Sequence, residues 1–112
     1  MNRSATLTLL ALASAGCSNA KASEFSSADP VACLTIFGIT ANGAQQGGKP
    51  ALAEEMVGRS TRLVQQQGGL PWLKEVQPRA MEVAKTMEAK LDGAAAITLL
   101  EQCRDRQDAE RR

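Results

Sequence analysis

The sequence predicts an all-α fold, a four-helix antiparallel bundle-like domain over residues 30–108. Apolar residues recur at spacings of three and four in four separate segments, as on the buried face of a helix. Proline, glycine or Asp-Gly breaks bound these segments where helices begin and end, and the short connections favour antiparallel neighbours. No segment alternates apolar and polar residues convincingly enough to form a sheet. With 112 residues, the chain has room for one small domain.

The first 22 residues have the three-part pattern of a bacterial export signal. Arg3 supplies a positive charge, Leu7–Ala15 forms an apolar stretch, and Ala20 and Ala22 are small residues that precede a cleavage site. The apolar stretch is shorter than the roughly 20 residues that span a bilayer. We therefore expect cleavage between Ala22 and Ser23 and a periplasmic or secreted protein.

A second processing route lies inside the same segment. Ala15-Gly16-Cys17-Ser18 resembles the lipobox of bacterial lipoproteins, although Ser14 stands where that motif usually has leucine. Acylation of Cys17 would make the protein a membrane-anchored lipoprotein, and we expect contact with a membrane only by this route. Both routes predict export, so this conclusion does not depend on the choice between them.

Polar segments border the helical domain. Residues 23–28 are mostly small and polar, which predicts a flexible lead-in over residues 23–29. From Arg104 onward the sequence is almost wholly charged. We expect this part to fray into solvent, with residues 109–112 as a frayed charged tail.

The first helix has a start signal at Asp29-Pro30 and a stop signal at Asn42-Gly43. Asp29 is a preferred N-cap residue, and Pro30 suits the first helical position. Asn42-Gly43 is expected to end this helix after Ala41, and residues 44–49 read as a loop rich in glycine and glutamine.

The second helix is predicted over Pro50–Gln67, because a proline opens it and Gly68-Gly69 closes it. Gly58 lies in its interior, where glycine costs about 1 kcal/mol relative to alanine. We interpret Gly58 as a place where a neighbouring helix approaches closely.

The third and fourth helices follow with short breaks. A short helical segment begins at Leu70, and Pro78 is expected to interrupt it because proline lacks an N–H and disfavours helix at the preceding residue. A longer helix is predicted over Pro78–Leu91. Asp92-Gly93 then breaks the chain and supplies a cap for a last helix over Ala94–Asp108.

Two cysteines remain once Cys17 has been removed with the signal or acylated. Cys33 and Cys103 lie near opposite ends of the domain, and an oxidising compartment favours their pairing. Closing a loop of about 70 residues would stabilise the fold by roughly 4 kcal/mol. Two alternatives stay open: a redox pair, which usually has C-x-x-C spacing, and two free buried thiols.

Charge and composition exclude several classes of function. After Arg3 and Lys21 are removed with the signal, 11 basic residues face 12 acidic ones, for a net charge of −1. Such a surface does not suit a nucleic-acid binder, which needs a basic excess. The chain has no His, so imidazole catalysis and His-ligated metal sites are excluded.

No catalytic, cofactor-binding or metal-binding constellation stands out. Glu54 and Glu55 are adjacent, so on a helix they point in different directions and cannot share one substrate. Ser60 and Thr61 have no His to activate them, which leaves a Ser–Lys dyad as the remaining enzymatic alternative. We interpret three methionines as core residues rather than soft metal ligands: Met56, Met81 and Met87.

Two further features are weighed as binding sites. Arg59 and Arg62 lie three residues apart on the second helix, with Glu55 four residues before Arg59. This pattern predicts a surface salt-bridge ladder in preference to an anion site. Trp72 is the single residue that most suggests partner binding. It is interpreted either as a contact for a protein partner or as a cap over the core.

The layout as a whole resembles the small disulfide-stapled helical periplasmic proteins of proteobacteria. It combines an export signal, a first helix bearing Cys33 after Asp29-Pro30, three more helices and a second cysteine in Leu99–Cys103. Acid-stress chaperones of the HdeA type share this plan over about Val31–Arg106. The resemblance implies a protein whose carboxylates are protonated at low pH, with exposure of apolar surface that binds client proteins.

These observations predict a non-enzymatic exported helical protein that binds an unknown protein partner in the cell envelope, without a cofactor or nucleic acid. Three alternatives remain: an HdeA-like acid-stress chaperone, an immunity or inhibitor protein, and a small hydrolase that uses Ser/Lys chemistry.

Overall fold

The computed structural model describes residues 25–110, and over this range the all-α prediction is confirmed. A four-helix bundle-like domain forms from α1 (Pro30–Gln46), α2 (Pro50–Gln67), α3 (Leu70–Lys90) and α4 (Gly93–Glu110). No strand occurs among these residues. None of the described helices combines the length and the hydropathy needed to cross a membrane. The predicted export signal, with Cys17 and the Ala22–Ser23 cleavage site, lies outside the described residues.

Residues 25–29, the described part of the predicted flexible lead-in, make contacts with one another and with the core. Phe25 is half-buried and packs against the core. The backbone N–H groups of Ala28 and Asp29 donate to the Ser26 hydroxyl and carbonyl oxygens, each at 3.0 Å. An aromatic ring and a hydrogen-bonded turn therefore connect this segment to the domain, and its flexibility stays a prediction.

The start of α1 confirms the sequence signal, whereas its end does not. Asp29 Oδ1 accepts a hydrogen bond from the Val31 N–H at 3.0 Å, and Pro30 occupies the first turn. The helix does not stop after Ala41 but runs through Asn42-Gly43 to Gln46. Ala44 is 5% exposed, and its burial outweighs the modest local cost of an interior glycine.

The prediction for α2 is confirmed at both ends. Gly68 and Gly69 follow Gln67 with φ values of 127° and 82°, a backbone region that favours glycine. The Gly69 N–H donates to the Val64 carbonyl at 2.8 Å, which satisfies the last turn. Gly58 is exposed, and a Cβ added there would meet no atom within 4 Å, so the interpretation as a close helix approach is wrong.

Pro78 does not interrupt α3, contrary to the prediction. Residues 70–90 form one helix with Pro78 exposed in its interior. A proline there removes a hydrogen bond to the Lys74 carbonyl, at a cost of about 3 kcal/mol. Leu73 before it is half-buried, and Val83 and Met87 after it pack with the core. Packing on both sides of the proline outweighs the local cost.

The last helix is longer and better anchored than predicted. Asp92 Oδ1 accepts a hydrogen bond from the Ala95 N–H at 2.8 Å, which confirms the cap. The expected fraying from Arg104 is wrong, because the chain stays helical to Glu110 and Gln107 is 3% exposed. Of the predicted tail over 109–112, the first two residues are helical, and the last two lie outside the described range.

The centre of the bundle is α1, which contacts each of the other three helices. Phe37 of α1 and Met56 of α2 are fully buried at 0% exposure. The core is completed by Ala32, Cys33, Ile36, Leu63, Met87, Leu99 and Cys103.

Candidate functional site

An apolar depression runs along the face of the bundle that α1, α2 and α3 form; we call it the α1–α3 groove. Its two adjoining cavities measure about 670 and 450 Å³. Both are lined by Leu34, Ser60, Leu70 and Leu73, so they form one continuous depression. The bundle therefore leaves one long concave surface beside its central helix.

The α3 wall of the groove is a single stripe of side chains. Leu70, Leu73, Gln77, Met81 and Ala84 recur at spacings of three and four, which places them side by side along the helix. This stripe adjoins the core-facing side of α3 and continues past it toward solvent.

Large apolar side chains of the groove are exposed. Leu70 is 67% exposed and Met81 is 59% exposed, although both stand among other apolar residues. Val57 and Ile97 are similarly exposed, at 56% and 59%, but line neither cavity of the groove. Single exposed apolar residues need no explanation, whereas a contiguous set often marks an interaction site.

The prediction that the three methionines are core residues is right for two of them and wrong for the third. Met56 and Met87 are buried at 0% and 2% exposure and confirm the interpretation as core residues. Met81 is not a core residue, because it lies on the groove side of α3. Helical periodicity alone does not separate these two sides of one helix.

Several polar side chains also line the groove, among them Thr35, Asn42, Ser60 and Gln77. The Thr35 hydroxyl donates to the Val31 carbonyl at 2.7 Å, and the Ser60 hydroxyl donates to the Met56 carbonyl at 3.0 Å. Both hydroxyls are thus engaged within their own helices. Lys74 supplies the one charged side chain among the described residues that line the two cavities.

A polar cluster joins α2 to α4; we call it the Arg59 cluster, with Glu55, Arg59, Arg104, Gln107 and Asp108 as members. Arg59 Nε donates to Glu55 Oε2 at 3.0 Å, and its Nη1 donates to Asp108 Oδ1 at 3.1 Å and to Gln107 Oε1 at 2.9 Å. Gln107 Nε2 donates back to the Arg59 carbonyl at 2.9 Å. Arg104 Nη2 lies 3.2 Å from Glu55 Oε2.

Burial distinguishes this cluster from the predicted surface ladder. The Arg59 side chain is 12% exposed. Burial lowers the pKa of its guanidinium, but the hydrogen bonds and charges of Asp108 and Glu55 outweigh that effect and raise the pKa above its ordinary value. The Glu55–Arg59 pair forms as predicted, but α4 covers it, so the expectation of an exposed ladder is wrong. Arg62 adds a long hydrogen bond of 3.5 Å to Gln107 Oε1.

The two cysteines of the domain lie together. The Sγ atoms of Cys33 and Cys103 are 2.13 Å apart, at disulfide-bonding distance, and their Cα atoms are 5.5 Å apart. Both residues are buried, and the pair joins α1 to α4.

Thr61 lines the smaller cavity of the groove, whereas Trp72 and Glu54 line neither cavity. Trp72 is half-buried in the first turn of α3, where its Cβ would lie 3.5 Å from a Cβ added at Gly68. It lines neither cavity of the groove, and its role as a partner contact stays a prediction. Glu54 is exposed, whereas Glu55 belongs to the Arg59 cluster, so the structure does not bring these carboxylates together.

Within residues 25–110, no group of three or more His, Cys, Asp or Glu side chains is placed to hold a metal ion. Comparisons of this chain with family models, with curated proteins and with solved structures find no match.

Proposed function

We propose that this chain is a non-enzymatic exported helical protein that binds a protein partner in the cell envelope through the α1–α3 groove. The observation that carries the proposal is the groove, with Leu70 and Met81 exposed in it. Covering such side chains releases water from apolar surface, which favours association.

The chemistry of the groove supports binding over catalysis. Ser60 donates its hydroxyl hydrogen to the Met56 carbonyl, and the chain has no His to activate it. Lys74 lines the same cavity as Ser60, but the Ser60 hydroxyl already donates to a carbonyl of its own helix.

The test is site-specific photo-crosslinking in the intact cell envelope. A photoreactive amino acid replaces Leu70 or Met81 in the groove, and Val57 or Ile97 as controls of similar exposure. We expect one adduct of defined mass from the two groove positions and none of that mass from the controls. Failure of both groove positions to give an adduct, or the same adducts from all four positions, would contradict the proposal.

The processing route needs its own measurement. The intact mass of the protein recovered from the envelope is expected to begin at Ser23 or at an acylated Cys17. The first result supports a soluble partner protein or domain, and the second points to partners at the membrane surface. A mass that retains Met1 would contradict export with processing.

The Arg59 cluster favours a second candidate, an acid-stress chaperone of the HdeA type. The charged groups in and beside this cluster are Glu55, Arg59 and Arg62 from α2, and Arg104 and Asp108 from α4. Carboxylates are protonated at about pH 2–3, whereas arginine stays charged. Acid would then leave three cations at the α2–α4 contact and loosen α4.

The sign of the pH effect follows from these groups. Because the pKa of Arg59 is raised, its own contribution to stability persists at every pH below its ordinary value and is lost only in strong alkali. Acid sensitivity must therefore come from the carboxylates. The candidate predicts loss of cooperative folding and protection of a client protein from aggregation at about pH 2–3. Retained folding without client protection would exclude it.

A further inference from the structure

Gly38 is unexplained by the packing of the described residues. It lies inside α1, is exposed in the groove, and a Cβ added there would meet no atom within 4 Å. Its backbone is helical and needs no positive φ. Glycine inside a helix is destabilising relative to alanine. The space above Gly38 is therefore open to a backbone or side chain from outside the domain.

The size of the groove matches a helix. Leu70 and Ala84, at the two ends of the α3 wall, are 14 positions apart, so the wall is about 21 Å long. A second helix of about four turns has the same length. The small residues Gly38, Ser60 and Ala80 allow such a helix to approach closely between larger apolar neighbours.

The hydrogen-bonding state of the groove argues against an extended peptide. An extended segment binds most readily by pairing its backbone with the edge of a sheet, and residues 25–110 contain no strand. The Thr35 and Ser60 hydroxyls are already engaged with their own helices. A helix satisfies its own backbone groups and needs only an apolar surface.

The charged residues along the groove indicate which kind of partner helix would bind there. No charged residue occurs in α1, and Lys74 is the charged side chain on the groove wall. Lys85 follows Met81 by four residues and is exposed along the same outer edge of α3. Glu88 is exposed beyond Ala84, at the far end of the wall. Lys74 in the middle of the wall and Lys85 just past Ala84 therefore give this edge two positive charges, and Glu88 adds one negative charge farther along.

We infer that the α1–α3 groove holds an amphipathic helix of another protein, about four turns long, whose apolar face is bordered by acidic residues. This inference rests on the proposed function and adds the chemistry of the partner. The mode is a helix in a groove, with the backbone of the partner close to Gly38 and its carboxylates beside Lys74 and Lys85.

The experiment uses two helical probes of about 15 residues, held helical by a hydrocarbon staple. They share one Leu/Ala face and differ only in the flanking residues, which are Glu in one peptide and Lys in the other. Binding to the purified full chain with Cys33 and Cys103 oxidised is followed by fluorescence anisotropy. We expect the Glu peptide to bind at least about tenfold more tightly than the Lys peptide at low salt, and less so at high salt.

Two substitutions locate the binding to the groove. Lys74→Glu is expected to invert the preference between the peptides. Gly38→Leu is expected to weaken the Glu peptide by more than about tenfold, because the side chain fills the space above α1. Gly58→Leu is the matched control, since Gly58 is also exposed inside a helix with no atom within 4 Å of an added Cβ, and it lies outside the groove.

Stability separates a docking effect from misfolding. Both leucine variants improve helix propensity, so each is expected to keep or raise Tm. Only Gly38→Leu is expected to lose the peptide. Equal affinity for the two peptides would overturn the inference. So would an affinity of the Glu peptide that neither Gly38→Leu nor Lys74→Glu changes. In that case the proposed function is judged separately. If a photoreactive residue at position 81 still crosslinks a partner in the envelope, the proposed function stands although the inference about an acidic helix fails.

Discussion

Breaking the disulfide between Cys33 and Cys103 is expected to destabilise the domain more than a substitution at an exposed position. The perturbation is the double variant Cys33→Ala/Cys103→Ala. Both residues are buried, at 4% and 2% exposure, and alanine introduces no polar group that needs a partner. Reduction of the unchanged protein provides the same open chain without a substitution.

The expected magnitude follows from the length of the closed loop. The two cysteines are 70 positions apart. Closing a loop of this length removes conformational entropy from the unfolded chain, which stabilises the folded state by about 4.4 kcal/mol at 25 °C. The core of a domain of this size supplies only about 3–5 kcal/mol. We therefore expect a large unfolded fraction of the open form at 37 °C.

The assay is urea unfolding of the oxidised, reduced and double-variant proteins. Circular dichroism reports the helices and the fluorescence of Trp72 reports the start of α3, so coincident transitions verify two-state behaviour. The expected loss in the free energy of unfolding is about 3–5 kcal/mol for both open forms. A loss below about 1 kcal/mol would refute the loop-entropy reasoning. Alkylation of both cysteines in the native protein, detected by mass, would refute the link itself.

Two other substitutions have expected effects of opposite sign on the free energy of unfolding. Arg59→Ala removes the bonds to Glu55, Gln107 and Asp108 and is expected to lower the free energy of unfolding by about 2–3 kcal/mol, measured in urea. Glu54→Ala, at an exposed position of the same helix, is the control and should change it by less than about 0.5 kcal/mol; equal effects would contradict a stabilising cluster. Pro78→Ala restores an N–H inside α3 and is expected to raise stability by about 1–3 kcal/mol. A lower Tm for this variant would show that the proline stabilises α3.

The boundaries that the sequence predicts correctly depend on neighbouring residues. The Asp29 cap acts on Val31, and the Asp92 cap acts on Ala95. Gly69, which ends α2, bonds the carbonyl of Val64 five residues earlier. Each signal is complete within one or two turns of chain, so no knowledge of the tertiary fold is needed to recognise it.

The boundaries that the sequence misplaces depend on distant residues. Asn42-Gly43 and Pro78 are both local breakers, with costs of about 1 and 3 kcal/mol. Burial of Ala44 in one case, and of Met87 in the other, holds the helix together across the break. A sequence pattern does not show which apolar residues a distant helix will cover, so the sum of these opposing terms is not predictable from it.

The candidate sites were missed for the same reason. Glu55 and Arg59 are recognisable as a pair, but Gln107 and Asp108 come 48 and 49 residues after Arg59. They meet because α1 contacts both α2 and α4, and because the Cys33–Cys103 pair joins α1 to α4. The groove stripe on α3 has the same spacing as a core stripe, and only the fold shows that Leu70 and Met81 are left uncovered.

The composition of α1 connects the fold to the proposed partner. This helix has 17 residues and no charge. Surface helices normally carry charged side chains on the side that faces water, whereas a helix without them is usually surrounded by other elements. One side of α1 is covered, since Phe37 and Ile36 are buried in the core. Another side holds Leu34, Gly38 and Ile39 along the groove. A helix laid in the groove would give α1 a further neighbour where it now faces solvent, which is why a helical partner suits this fold better than a small ligand.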